Sequence, residues 1–330
     1  MSFWGYAEEA SDEFGMMDRG SIAIVGAGLI GASWVLVFAR AGFRVQVFDP
    51  SNETRAGLLS WMNVRLAELQ KVAKGIVADP EAIISRVEVF SDLGRALEGA
   101  SYVQESVLET VDLKKSVCHE IDALIGPKTI VGSSSSGIPS SSFTEDCANR
   151  AHFMAVHPVN PPHLIPVVEI VPATWTSPDC ITNVAKLMRD VGQVPVLLKK
   201  EIDGFVLNRL QGVLLNEAWA LYEDGIASIE DIDATIAHGL GLRWSFMGPF
   251  ETIDLNAPGG IQDYAERLRG LYAGMTRLPP RGPWPDAVVA KATQERRKAL
   301  PESEISNHSA WRDSVLARLG EFKRAATGSS

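Results

Sequence analysis

The residues in this chain best suited to catalysis by type and spacing are a histidine and a glutamate. His157 opens the stretch His157-Pro-Val-Asn160-Pro-Pro, and Glu169 follows twelve residues later within Val-Val-Glu-Ile-Val. Oxidising a secondary alcohol needs a base for the hydroxyl proton while hydride leaves carbon. Histidine suits the task because its pKa lies near working pH. A carboxylate on its other ring nitrogen would fix the tautomer and stabilise the imidazolium. Glu169 sits in an apolar run, where an ionised carboxylate needs a partner. From spacing alone, a structural histidine is the competing reading of His157.

A second constellation lies near the start. Val25-Gly-Ala-Gly-Leu-Ile-Gly31 follows an apolar run and opens a helical pattern. Gly26 allows a tight turn, Gly28 lets backbone approach a pyrophosphate, and Gly31 lets helix pack on strand. Leu29 and Ile30 begin the helix, whose N-terminus offers free N–H groups and partial positive charge. The next apolar run ends in Asp49, 18 residues after Gly31, where a ribose-binding carboxylate belongs. Asp49 can accept from both ribose hydroxyls but would repel a 2′-phosphate, so the expected cofactor is NAD rather than NADP. Arg55 is the one nearby cation that argues otherwise.

These residues need a scaffold, and the first half of the chain supplies a regular one. Candidate strands are 21–25, 44–48, 87–90, 102–105, 129–132, 153–157, 167–171 and 195–198, with helical patterns over 30–41, 53–74 and 113–125. Alternating strand and helix implies a mostly parallel sheet with helices on both faces. The pattern changes near Glu201. Leu207, Leu210, Leu214, Ala218 and Leu221 make one apolar helical stripe, with Gly225 as a stop. Ser228-Ile-Glu-Asp231 reads as a capping box for a next helix that Gly239 ends. Pro279, Pro280, Pro283 and Pro285 predict a stiff loop before a polar helical tail. Residues 1–19 are expected to be a disordered leader, with Met16 and Met17 as alternative starts. The expected domains are 20–200, binding the dinucleotide, and 201–330, helical and serving substrate and dimerisation.

Bulk properties exclude other classes. The 330 residues carry a net charge of −10, which argues against a nucleic-acid partner. A small anionic substrate remains compatible, since one local cation outweighs a distant field. Cys118, Cys147 and Cys180 fit no metal site or disulfide framework, so no metal is expected, and reduced thiols in a cytoplasmic protein are. Residues 22–39 are uncharged and long enough to mimic a membrane span, but Gly26, Gly28 and Gly31 interrupt them. A strand, a turn and a buried helix are expected there, with no membrane partner.

Taken with the motifs above, the sequence resembles the 3-hydroxyacyl-CoA dehydrogenase family, which carries a similar His–x–x–Asn–Pro stretch followed by a glutamate in an apolar strand. The resemblance implies an N-terminal Rossmann-type doubly wound α/β sheet followed by an all-helical C-terminal domain. It implies His157 as general base and Glu169 as its orienting partner. It assigns Ser136, within Gly-Ser-Ser-Ser-Ser-Gly, to the substrate oxygen; Ser133, Ser134 and Ser135 leave that register open by one residue. Asn208 matches the family's substrate-polarising asparagine, and Glu109 and Lys114 match its cofactor-contacting pair. Asn160 belongs to the substrate side of the same stretch.

Within the family, the sequence is similar to the lambda-crystallin, or L-gulonate 3-dehydrogenase, branch. The shared stretches are His157-Pro-Val-Asn-Pro-Pro, Gly239-Leu-Gly-Leu-Arg-Trp, Gly248-Pro-Phe-Glu-Thr and Trp311-Arg-Asp. That similarity implies a homodimer and oxidation of a free 3-hydroxy acid such as L-gulonate. Arg243 is a lone cation in an apolar, glycine-rich turn, and its planar fork is matched to a substrate carboxylate. A salt bridge, for instance to Glu251, is the competing role. The alternative substrates are a 3-hydroxyacyl-CoA or a cyclic or aromatic alcohol. A non-catalytic NAD-binding structural protein is the alternative of a different class, disfavoured by the intact Ser136, His157, Glu169 and Asn208.

Overall fold

The computed structural model describes residues 20–72, 79–275 and 284–327. The expected leader and the prolines at 279, 280 and 283 lie outside the described residues.

Two compact units divide the chain: residues up to Arg209 together with those from Ala310 onward, and Leu210–Ser309. The expectation of a boundary at residue 200 puts 201–209 and the chain from Ala310 onward in the second domain; by compactness both group with the first unit.

In the first unit the elements run β1 (Ser21–Val25), α1 (Leu29–Arg40), β2 (Val45–Phe48), α2 (Asn52–Val72), α3 (Pro80–Ile84), β3 (Val87–Phe90), α4 (Leu93–Leu97) and β4 (Ala100–Glu105). There follow α5 (Val111–Leu124), β5 (Ile130–Ser133), α6 (Ser141–Thr144), β6 (Phe153–Pro158), β7 (Val167–Pro172), α7 (Pro178–Asp190), β8 (Val194–Leu197) and the start of α8 (Leu207–Glu223). Among the described residues the eight strands form one sheet, ordered β3-β2-β1-β4-β5-β6-β7-β8. Neighbours are parallel except for β6 and β7, which run antiparallel. The order reverses between β1 and β4, and such a reversal opens a crevice at the strands' carboxyl ends.

The sheet is covered on both faces. Along β1, Ile22 and Ile24 enter one core cluster with Trp34 and Phe38 of α1, while Ala23 and Val25 enter another with Val103, Cys118 and Phe143. That alternation is why the strand reads as an unbroken apolar run. Helix α1 is buried along nearly its whole length and stops at Gly42, whose φ is 90°. The N–H of Phe43 closes back on the Phe38 carbonyl and that of Gly42 on Ala39, a Schellman end with the Phe38 and Phe43 rings in contact. The three cysteines are free and buried.

The second unit holds the rest of α8, then α9 (Ile229–Thr235), α10 (Gly241–Trp244), α11 (Pro249–Leu255), α12 (Gly260–Met275), α13 (Asp286–Ala299) and the first residues of α14 (Ile305–Thr327). Gly225 ends α8 with φ 68°, as expected, and Ser228 Oγ accepts the Asp231 N–H to cap α9. Gly239 does not end that helix. It keeps helical backbone within a π-helical turn, Ile236–Leu240, that leads directly into α10. A glycine stops a helix by adopting positive φ, and Gly239 does not. The apolar stripe of α8 stays largely in solvent: Leu210 is 63% exposed and Leu214 37%. No helix among the described residues is long and apolar enough to cross a membrane.

Candidate active site

The glycine turn has the shape its sequence demands. Gly26 has φ 92°, and a side chain on it would begin 2.7 Å from the Ser106 carbonyl oxygen. A side chain on Gly31 would collide with the Gly26 carbonyl oxygen at 1.8 Å. At Gly28 it would meet nothing within 4 Å, so that glycine faces open space. Helix α1 starts there with no side-chain cap and no acidic residue in its first turn. Leu29 and Ile30 therefore present N–H groups ready for an anionic group.

Asp49 stands at the end of β2 and is nearly buried. Its Oδ2 accepts the Ala27 N–H and its Oδ1 the Ser51 N–H, both at 2.8 Å. The carboxylate thus fixes the glycine turn to the start of α2 and keeps lone pairs for ribose hydroxyls. Arg55 folds back onto the carbonyls of Asp49 and Pro50 at 2.6 and 3.0 Å, which commits the one nearby cation locally. An open glycine cradle, an uncapped helix start and a carboxylate beyond the second strand fit NAD.

His157 and Glu169 face each other across the antiparallel β6–β7 pair, in direct register. His157 Nδ1 lies 2.8 Å from Glu169 Oε2, and both side chains are buried. The other oxygen, Oε1, accepts the N–H groups of Val206 and Leu207 at 2.9 and 3.0 Å, where α8 begins. Burial pushes the Glu169 carboxyl up, but the bonds from His157, Leu207 and Val206 outweigh it and hold the carboxyl below its usual range. Phe205, fully buried with φ 49°, sets its ring 5.6 Å from the imidazole. With Nδ1 on Glu169, Nε2 is left for chemistry.

The serine run after β5 forms a second cluster. Glu109 Oε1 accepts from Ser135 Oγ and Ser136 N–H at 2.8 Å and from Gly137 N–H at 3.3 Å, with Ser136 Oγ at 3.4 Å. Burial raises the Glu109 carboxyl; Ser135, the Lys114 charge and the two backbone donors bring it below its ordinary value. Within the run, Ser133 bonds the buried Glu105, Ser134 and Ser135 are engaged internally, and Ser136 is the exposed member. Asn208 Nδ2 donates to the Ser136 carbonyl at 2.5 Å, and Gly204 N–H to the Gly137 carbonyl at 3.3 Å. The turn 204–208 thereby fastens both clusters, holding Glu169 by its backbone and the serine loop by Asn208.

Lys114, expected at the cofactor, is packed against two carboxylates. It is 1% exposed, its ammonium lies 3.0 and 3.1 Å from the two oxygens of Glu105, and Glu109 Oε2 is 3.6 Å away. A cation so enclosed is committed to its carboxylates. Sequence reading missed Glu105, which is fully buried and also accepts the Val107 N–H. The sign available was an acid ending an apolar strand, as Asp49 does. Asn160 is exposed and precedes a cis peptide to Pro161. Arg243 belongs to the second unit, on α10, exposed, and among the described residues makes no ion pair with Glu251.

Comparison with known proteins places the chain in a family. A family profile described as 3-hydroxyacyl-CoA dehydrogenase, NAD binding domain, matches residues 21–202, and the C-terminal domain of the same family matches 204–298. Lambda-crystallin of Oryctolagus cuniculus is 37% identical over 312 residues, covering 92% of this chain and 97% of its own. An L-carnitine dehydrogenase of Bacillus cereus is 32% identical, covering 85% of this chain and 83% of its own. The solved structure of an NAD+-dependent 5-formyl-3-hydroxy-2-methylpyridine 4-carboxylic acid 5-dehydrogenase superposes with a TM-score of 0.75 at 28% identity, covering 91% of this chain and 98% of that one. This chain belongs to the 3-hydroxyacyl-CoA dehydrogenase family and carries that family's NAD-binding domain.

Proposed function

We propose that the protein oxidises the 3-hydroxyl of a free hydroxy acid, in the manner of an L-gulonate 3-dehydrogenase, with His157 as general base. The observation that carries this reading is the buried His157–Glu169 pair, because it commits Nδ1 and leaves Nε2 as the proton acceptor. Glu169 holds the ring's tautomer and stabilises the imidazolium once the proton arrives. Ser136 and Asn208, tied together by one hydrogen bond, bind the substrate's hydroxyl oxygen and keep it oriented. Asn160 lies on the substrate side of the same stretch. Gly26, Gly28, Leu29, Ile30, Gly31 and Asp49 hold NAD, with Glu109 beside the serine loop and Lys114 supporting Glu109 from beneath. NAD supplies the hydride acceptor when bound.

A free acid is favoured over a coenzyme A thioester by the lambda-crystallin-like sequence and by the relative named for L-carnitine, itself a 3-hydroxy acid. Arg243 is assigned to the substrate carboxylate. A relative named 3-hydroxyacyl-CoA dehydrogenase, from Gibberella moniliformis and 35% identical, keeps the thioester as second reading. The second unit exposes Val213, Ile226, Phe250 and Leu255, each to 68% or more, an apolar surface suited to a homodimer. The three buried thiols accord with a cytoplasmic protein. NADH formation across a panel of free hydroxy acids and acyl-CoA thioesters tests the assignment. Turnover confined to thioesters overturns it.

A further inference from the structure

A buried hydrogen-bond network beneath the glycine turn fixes the direction of one hydroxyl. Gln104, on β4, is fully buried. It accepts from the Tyr102 hydroxyl at 2.5 Å and donates through Nε2 to the Val156 carbonyl at 3.2 Å and to Ser134 Oγ at 2.8 Å. A backbone carbonyl can only accept, so the amide's orientation is determined. The Trp34 indole N–H, a donor only, also reaches Ser134 Oγ, at 3.2 Å. Two incoming donors use both lone pairs of Ser134 Oγ. Its own proton must then go to Ser106 Oγ, 2.8 Å away. Ser106 is the receiving partner, and its hydroxyl proton has no acceptor among the described residues.

Ser106 is also well placed. It follows β4 directly, and its N–H donates to the Val25 carbonyl at 2.7 Å. Its carbonyl is the atom a side chain on Gly26 would strike, and its Cβ lies 3.4 Å from where one on Gly31 would begin. It therefore walls the glycine turn on the β4 side, across β1 from Asp49 on the β2 side. A dinucleotide whose pyrophosphate lies on the turn and whose adenosine ribose lies on Asp49 extends its other half toward β4.

We propose that Ser106 is a cofactor-binding residue whose outward hydroxyl donates to an oxygen of the nicotinamide ribose or its phosphate. Ser134, held by Gln104 and Trp34, is its positioning residue. The network keeps the donor aimed before the cofactor arrives, so little ordering is left for binding to do.

The test is Ser106→Ala, which leaves Trp34 and Gln104 bonded to Ser134. Titration calorimetry with NADH and, separately, with AMP reads the two halves of the site. Loss of one neutral hydrogen bond should weaken NADH binding about three- to tenfold. AMP, which needs only the Asp49 side, should bind as it does to the unaltered protein. NADH affinity that does not change overturns the proposal. So does parallel weakening of NADH and AMP, which would make Ser106 a prop for the turn. Melting temperature without ligand, expected to stay within a few degrees, confirms that the variant is folded.

Discussion

Glu169 stands opposite His157 in the β6–β7 ladder and gives each carboxylate oxygen a separate task, one for the imidazole and one for the two N–H groups that begin α8. His157→Gln should therefore lower kcat by ~10²–10⁴ with little change in NADH affinity. Glu169→Gln should be damaging as well, and the double variant little worse than the worse single one, because the pair acts as a unit. Steady-state kinetics beside NADH titration checks this; near-normal turnover of His157→Gln would remove it as the base.

The same carboxylate links stability to acidity. Its folded pKa is depressed, so its contribution is present above the unfolded carboxyl pKa of about 4.3 and is lost as pH falls through the folded value. Urea midpoints of the unaltered protein should drop over that acid range, and those of Glu169→Gln should drop less. Equal slopes for the two would count against the linkage.

His163 gives a second, less acidic window. Burial, then the charges of Arg40 and Arg65, hold its pKa down to about 3, and its Nδ1 lies 3.2 Å from Ser33 Oγ on α1. Ser33 spends its own proton on the Leu29 carbonyl, so Nδ1 is the protonated nitrogen. The unfolded state takes up a proton first, so stability should decline from about pH 6.5 downward. His163→Asn, which cannot titrate, should flatten that slope in urea unfolding between neutral and mildly acidic pH.

Cofactor choice should follow Asp49. Asp49→Asn keeps an acceptor for the Ala27 N–H but removes the charge that opposes a 2′-phosphate. The ratio of kcat/KM for NAD over NADP should fall about tenfold or more. An unchanged ratio would place selectivity elsewhere.

Arg243 carries the sharpest substrate prediction. If the guanidinium binds the substrate carboxylate as proposed, Arg243→Met should raise KM for a free acid about tenfold, the loss of one charge-assisted hydrogen-bonded contact. NADH binding and melting temperature should hold. If the melting temperature collapses, or KM scarcely moves, the guanidinium is architectural.

Much of this was legible because it is local. All eight strands appear within two residues of their expected ends, since a sheet covered on both faces leaves uninterrupted apolar runs. The glycine turn and the capped start of α9 declare themselves through spacing fixed within one turn of chain, and Asp49 through the length of one strand–helix–strand unit, 18 residues after Gly31. The burial of Lys114 was not legible because its partner, Glu105, lies nine residues earlier and meets it only after the strand turns into α5. Gly239 was misread because a glycine in helical conformation looks the same in sequence as one that ends a helix. The Trp34–Ser134 and Gln104–Ser134 bonds join residues 100 and 30 apart, and no local pattern announces them.

The cross-strand pairing of His157 and Glu169 also separates two kinds of change. Their distance is set by the ladder between β6 and β7, not by the connection that joins those strands. Exposed positions of that connection, such as Asn160 and Pro166, can change without altering how the proposed base is held, while Pro161, Pro162 and His163 are buried and tie the connection to the core. A one-residue insertion inside either strand would turn one partner to the opposite face of the sheet. On the proposed mechanism, diversity in the substrate can therefore accumulate at those exposed positions while the proton chemistry stays fixed. A library confined to the exposed positions Asn160 and Pro166 is the economical place to look for new specificities.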